Sequence, residues 1–233
     1  METPMNLGRF VSAANAELRQ NGISGIVTKF VDWLAKTPPI SDDFDRRLGT
    51  DTATMVPSWL IRTTSLNAKF ANRYQTAGGF DLVEAMKLLD RAPDDLIFVD
   101  LGSGKGRKLI EAGQLGFKQV IGVEFSDDLV AIAHRNLEIV GMPRVIVVRC
   151  DAAKYDIPDG DIVVYFYNPF KEQVMRDVIK NLERAAASQP EREMFVIYSR
   201  PESESLFQAA SFLEFVGRPA AHLDTAVWKK KRM

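Results

Sequence analysis

A chain of 233 residues, 46% hydrophobic and 26% charged, has enough apolar material for a full core, which excludes the disordered and fibrous classes. Its 30 Lys and Arg against 31 Asp and Glu leave a formal net charge of -1, so no global field favours a polyanion, and nucleic acid ranks below other partners. Cys150 is the one cysteine, which excludes an internal disulfide and any multi-cysteine zinc site and fits a reducing cytoplasm.

The first ninety residues read as helical and broken by turns. Leu7, Phe10, Val11, Ala14 and Leu18 fall on one helical stripe, and Ile26, Val27, Phe30, Val31 and Leu34 on a second. Asn21-Gly22 separates the two, and Pro38-Pro39 stops the second. Apolar stripes are core more often than interface, so an N-terminal helical extension packed on the next domain is expected ahead of a partner-binding arm. Met1 to Phe10 lacks the basic start and apolar stretch of a secretion signal, and no apolar run approaches the ~20 residues that span a bilayer. A cytoplasmic protein without a membrane partner is therefore expected. Two polar, glycine-containing stretches follow, Asp45-Arg46-Arg47-Leu48-Gly49-Thr50-Asp51-Thr52 and Arg73-Tyr74-Gln75-Thr76-Ala77-Gly78-Gly79.

From Asp94 onward, short β-rich runs alternate with helical patterns, the signature of a parallel sheet covered on both faces. Five strands are expected at Leu96–Asp100, Gln119–Glu124, Arg144–Arg149, Asp161–Tyr167 and Met194–Ser199. Helices are expected near Gly106–Leu115, Asp127–Val140, Lys171–Ala187 and Glu202–Ser211, with Gly141-Met142-Pro143 ending the second of them. Phe212–Gly217 and Leu223–Lys230 then follow with no helix between them, which predicts a closing antiparallel hairpin. The expected fold is thus α/β, Rossmann-like: a mostly parallel seven-stranded sheet with helices on both faces. Residues 1–90 form the extension and 91–233 the ligand-binding domain.

The strongest chemical signal is Phe98-Val99-Asp100-Leu101-Gly102-Ser103-Gly104-Lys105-Gly106-Arg107, an apolar strand running into an acid and then a glycine-rich turn that opens a helix. Glycines at 102 and 104 allow a tight turn and close backbone approach to a ligand. Asp100 marks the carboxyl end of its strand, the edge over which ligands lie in open α/β sheets. The second strand ends in Gly122-Val123-Glu124-Phe125, placing a carboxylate about twenty residues beyond the turn, where it can accept hydrogen bonds from ribose hydroxyls. Cys150-Asp151-Ala152 ends the third and Tyr167-Asn168-Pro169-Phe170 the fourth. Three acids and an asparagine converge on one crevice.

The segment from about Asp94 to Lys230 resembles the class I S-adenosylmethionine-dependent methyltransferases. The resemblance implies S-adenosylmethionine as cofactor, with Asp100, Leu101, Gly102, Ser103 and Gly104 around its amino-acid part. Glu124 is implied at the ribose, Phe125 against the adenine, and Asp151 with Ala152 at the adenine amino group. The upstream stretches are similar to segments of bacterial methyltransferases and of some lysine methyltransferases lacking a SET domain. That similarity implies Tyr74 and Thr76 at the methionine end and Asp51 at the acceptor pocket. Asn168-Pro169-Phe170 resembles the Asn-Pro-Pro-Tyr/Phe loop of amino-group methyltransferases with one proline missing, so Asn168 is the candidate catalytic residue that orients the acceptor. A turn start at Asn-Pro, with Phe170 stapling the next helix, is the structural alternative.

A nicotinamide-dependent oxidoreductase also wants a glycine-rich turn and a ribose-binding acid. Two residues oppose it. Arg107 stands where the dinucleotide fingerprint wants its third Gly or Ala, and Asp100 would bring negative charge toward a pyrophosphate. A cofactor-binding partner subunit without activity of its own is a further alternative. His134 and His222 lie far apart without a ligand pattern, so no metal is expected. The acceptor ranks as a protein amine, lysine first, or a small molecule, ahead of nucleic acid. The basic run Lys229-Lys230-Lys231-Arg232 reads as a solvated chain end.

Overall fold

The computed structural model describes residues 42–54, 81–167 and 170–232. The apolar stripes of residues 7–34 lie outside the described residues, as do Tyr74, Thr76 and Asn168.

The run Ile97-Phe98-Val99-Asp100-Leu101 forms β1 (Ile97–Leu101), buried at every position. A central parallel strand is covered on both faces, which is why such a segment reads as continuously apolar rather than alternating. The other strands are β2 (Gln119–Glu124), β3 (Ile146–Arg149), β4 (Ile162–Tyr167), β5 (Met194–Ser199), β6 (Leu213–Gly217) and β7 (Thr225–Lys230). They form one seven-stranded sheet in the order β3-β2-β1-β4-β5-β7-β6. The first five are parallel, whereas β7 runs antiparallel to both β5 and β6, giving the closing hairpin. Chain order runs outward in one direction from β1 to β3 and in the other from β4 to β5. The topological switch point therefore lies between β1 and β4, where α/β sheets open a ligand crevice.

The helices are α1 (Asp43–Leu48), α2 (Asp81–Met86), α3 (Arg107–Leu115), α4 (Asp127–Ile139), α5 (Glu172–Ser188) and α6 (Glu204–Ala209). Strand alternation sorts the core into two layers. Val99, Leu101, Val123 and Val164 face Val174, Val178 and Leu182 of α5 and Phe207 of α6. Phe98, Val120, Val163 and Tyr165 face Leu109 and Ile110 of α3 and Leu137 of α4. Phe44 of α1, Leu82 and Ala85 of α2, and Leu89 join that second cluster, so the described parts of the first ninety residues are built into the sheet's core.

Two of the shifts in expected boundaries have a clear local reason. The helix expected at Glu202–Ser211 contracts to Glu204–Ala209 because Arg200, with φ +50°, and Pro201 turn the chain first. The Glu202 N–H donates to the Arg200 carbonyl at 2.8 Å, which takes residues 200–202 out of helix. The third strand starts at Ile146, since the Val145 N–H is turned back to the Met142 carbonyl at 3.2 Å.

Each member of the basic run Lys229–Arg232 has an internal partner. Lys230 is buried, and its ammonium donates to the carbonyls of Gln189 (3.3 Å), Arg192 (2.9 Å) and Pro190, fastening β7 to the turn after α5. Lys229 pairs with Glu214 at 3.3 Å, Lys231 donates to the Ser211 carbonyl at 2.7 Å, and Arg232 lies 3.8 Å from Glu193.

Candidate active site

The glycine-rich turn between β1 and α3 hangs on β2. The N–H groups of Gly102 and Ser103 both donate to the Val123 carbonyl, at 2.8 and 3.1 Å. Gly102, Gly104 and Gly106 adopt φ of +95°, +54° and +86°, the left-handed region where a side chain brings strain. The turn also crosses Gly122 closely. A Cβ there would lie 2.5 Å from Leu109 Cδ1 and 2.9 Å from Ser103 Cβ, so β2 needs glycine for the turn to pass.

Glu124 closes the turn from the end of β2. It is 4% exposed, with Oε2 accepting the Gly104 N–H at 3.0 Å and Oε1 accepting the Ser126 N–H at 2.9 Å. Burial pushes its pKa up to about 7, against backbone hydrogen bonds from Ser126, Gly104 and Phe125 that pull it down. A carboxylate offers about four lone-pair sites, so acceptor capacity remains for hydroxyl donors. Asp100 is buried on the α3 face of β1, in register with Gly122 and Tyr165. Asp151 follows β3, half-buried, and its carboxylate caps the short helix Ala152–Lys154 through the Ala153 N–H at 3.1 Å. Phe125 is half-buried, while Leu101 and Ala152 are buried. The structure thus brings Asp100, Leu101, Gly102, Ser103, Gly104, Glu124, Phe125, Asp151 and Ala152 to the carboxyl edge of β1, β2 and β3.

That edge fits a cationic sulfur nucleoside. Three carboxylates suit hydroxyl, ammonium and amino donors. Ser103 adds a buried hydroxyl with no hydrogen-bond partner among the described residues, a group that a polar ligand would satisfy. Cys150 adds no nucleophile: its thiol lies 3.4 Å from the Asp151 carbonyl, and burial together with the Asp151 charge pushes its pKa up. Among the described residues, no cluster of three or more His, Cys, Asp or Glu is placed to hold a metal ion, and no helix is long and apolar enough to cross a membrane.

On the β4 side, Phe170 is 7% exposed and packs in the α5 layer of the core, as a staple for the following helix does. Beside it at the rim, the Arg200 guanidinium lies 5.6 Å from the ring centroid of the half-buried Tyr167.

No motif marks how the stretch of residues 45–52 packs behind the turn. Residues 42–54 pack there as an arm. Asp42 caps α1 by accepting the Asp45 N–H at 3.0 Å, and Gly49 ends that helix in the left-handed region. The buried Asp45 carboxylate then organises the return stretch, accepting from Thr50 Oγ1, the Thr52 N–H and hydroxyl, and the Ala53 N–H, all at 2.7 to 2.9 Å. Lys105 is 1% exposed and donates to both Asp51 oxygens at 2.9 and 3.0 Å. Burial lowers its pKa, and Asp51 counters that shift. Asn136 of α4, also 1% exposed, donates to the carbonyls of Asp51 and Lys105 and accepts the Asp51 N–H. Its signal was present: a polar residue standing among Leu129, Ala133 and Leu137 on the buried stripe of its helix. Arg107 is buried under the arm, paired with Asp42 and stacked 4.3 Å above the Phe44 ring, and Gly106 makes the close approach to Ala133.

Residues 98–189 match the family model described as a methyltransferase domain. Those residues form a methyltransferase domain, and the sheet that carries them has a Rossmann-like order. The match begins within β1 and runs through α5, so this methyltransferase domain includes the glycine turn and the acids of β1, β2 and β3. Solved structures similar to the chain include ribosomal protein L11 methylase from Lactobacillus delbrueckii subsp. bulgaricus, 18% identical over 65% of this chain and 76% of that one, with a TM-score of 0.46. PH0226 protein from Pyrococcus horikoshii OT3 is 16% identical over 63% and 85%, TM-score 0.49. A TehB-like SAM-dependent methyltransferase from Corynebacterium glutamicum is 19% identical over 66% and 90%, TM-score 0.47. No curated protein matches the chain in sequence. A nicotinamide oxidoreductase is set aside by the matched domain together with the antiparallel closing strand.

Proposed function

We propose that this methyltransferase acts on a protein amine, lysine first, with a small-molecule acceptor as the second reading. The observation that carries the cofactor half of this reading is the buried Glu124 carboxylate bound to the Gly104 amide at the end of β2. In this reading its remaining lone pairs accept the ribose hydroxyls, Asp100 faces the ammonium end, and the backbone of Leu101, Gly102, Ser103 and Gly104 wraps the amino-acid part. Asp151, Ala152 and Phe125 hold the adenine, and Tyr74 and Thr76 reach the methionine end. The bound cofactor supplies an already activated sulfonium methyl group. The task left to the chain is to align a nucleophile behind that methyl and exclude water.

An amine must arrive neutral to attack. Asn168 supplies a side-chain amide at the end of β4 that orients the nitrogen lone pair, and a carbonyl or carboxylate of the rim takes the proton's hydrogen bond. Residues 1–90 serve as a helical extension over the domain of residues 91–233, and the protein works in the cytoplasm. The near-neutral charge supports an acceptor other than nucleic acid, as does the internal pairing of the basic run.

Calorimetry with S-adenosylmethionine and its demethylated product tests the cofactor half, with binding expected in the wild type and lost in Glu124→Ala. Incubating cell extract with methyl-labelled cofactor tests the acceptor half. Label removed by protease and retained after nuclease supports a protein amine, and label released only by nuclease overturns it.

A further inference from the structure

We infer that Asn136 is a positioning residue for the cofactor, acting through the glycine turn from behind. The inference rests on the methyl-donor reading of that turn. It starts from the turn's anchoring on two sides. Toward β2, the N–H groups of Gly102 and Ser103 are held by Val123, and that of Gly104 by Glu124. On the other side the turn offers the Lys105 carbonyl and the buried Lys105 ammonium, and both are met by the arm and α4.

One side chain joins these parts. Asn136 Nδ2 donates to the Lys105 carbonyl at 2.9 Å and to the Asp51 carbonyl at 3.0 Å, while its Oδ1 accepts the Asp51 N–H at 2.9 Å. The amide pairs with the arm as another backbone would, reading both N–H and C=O of a single residue 85 positions away. This pairing sets Asp51 where its carboxylate meets the Lys105 ammonium. Without it, the buried Lys105 ammonium loses its contact with Asp51, which opposes displacement of the arm. The next residue, Gly106, approaches Ala133 of the same helix so closely that a Cβ would lie 3.3 Å from the Ala133 methyl. The turn is therefore clamped between β2 and α4, with the arm wedged against Lys105.

A ligand that uses the turn's free face requires its backbone already set, and geometry fixed in advance reduces the ordering cost of binding. Coupling of this kind is reciprocal. Arm docking strengthens cofactor binding, and cofactor binding tightens the arm.

The test uses the full-length chain and S-adenosylhomocysteine as the probe. Asn136→Ala is expected to weaken its dissociation constant roughly tenfold, the scale of leaving buried polar groups unpaired. Hydrogen exchange at the amides of Thr52 and Ala53 is expected to slow on adding the ligand to the wild type and to lose that response in the variant. Leu182→Ala, in α5 on the opposite face, serves as the stability control, with a lowered melting temperature and unchanged affinity. Asn136→Asp keeps the size and the acceptor, and binding intermediate between wild type and alanine variant is expected. A folded Asn136→Ala protein that binds the probe like wild type overturns the inference, as does arm exchange indifferent to ligand. Failure of the wild type to bind at all overturns the methyl-donor reading and this inference with it.

Discussion

The carboxylate of Glu124 and the amide of Gly104 meet at 3.0 Å across the gap between β2 and the glycine turn, so one acid shapes the turn and, in the proposed reading, also meets the ribose. Replacing it separates those two tasks. Glu124→Gln retains an acceptor for the Gly104 or Ser126 N–H and is expected to fold, whereas Glu124→Ala leaves both buried amides unpaired, at a cost on the order of 1–3 kcal/mol each. Both variants are expected to lose cofactor affinity in calorimetry. Wild-type affinity in Glu124→Gln would show that the charge is not needed.

The same residue sets a pH dependence. Burial raises the folded-state pKa to about 7, from an ordinary value of 4.5, so the folded protein keeps a proton that the unfolded chain releases. Stability unaffected below about 4.5 therefore falls as pH rises between 4.5 and 7 and levels off above. Denaturant titrations of wild type and Glu124→Gln should converge toward low pH and diverge toward pH 7 and above. Ribose hydroxyls favour the ionised form, so cofactor binding near pH 6 to 7 is expected to release protons. Calorimetry in buffers of different ionisation enthalpy measures that release.

Gly122→Ala is expected to act at a distance of one strand. The added Cβ would lie within 3 Å of Leu109 Cδ1 and Ser103 Cβ, forcing the turn off β2. Overpacking of this size costs about 1–3 kcal/mol, and the displaced turn should bind S-adenosylhomocysteine several-fold more weakly. Unchanged affinity would mean that the turn's position on β2 is not what the ligand reads.

Phe170 separates a packing role from a stacking one. Its ring is 7% exposed in the α5 layer, so Phe170→Ala is expected to cost about 3–5 kcal/mol, with Phe170→Leu recovering most of it. An acceptor KM raised in Phe170→Leu at unchanged stability would instead assign the ring to the substrate.

Lys230 fastens the chain's last strand. Truncating it to Ala leaves the carbonyls of Gln189, Pro190 and Arg192 without their shared donor, with a loss of roughly 1.5–3 kcal/mol seen as a lowered melting temperature. Lys229→Ala removes a half-exposed pair with Glu214 and should cost less than about 1 kcal/mol. Equal effects of the two would contradict the internal role of Lys230.

The sheet was legible because its signals are local. Continuous apolar runs between turn residues mark β1, β4 and β5, and the strand-turn-helix sequence at Asp100–Arg107 marks the ligand edge. The place of Glu124 beside that turn, at the end of β2, was legible through its spacing. The arm's attachment was not, because Lys105 and Asp51 stand 54 positions apart and Asn136 and Asp51 85 apart, and no periodicity links such positions. Asp51, expected at the acceptor pocket, pairs with Lys105 behind the turn while its side chain stays half-exposed. The internal use of Lys230 was hidden for the same reason, since a run of four cations reads as solvated until the carbonyls it caps are located.

Three left-handed residues in five, at 102, 104 and 106, make the turn a stretch of backbone that alternates in handedness. Handedness joins bulk as a limit on what these positions tolerate. A D-alanine introduced at Gly102 or Gly104 by chemical synthesis suits this backbone, where its L enantiomer opposes it.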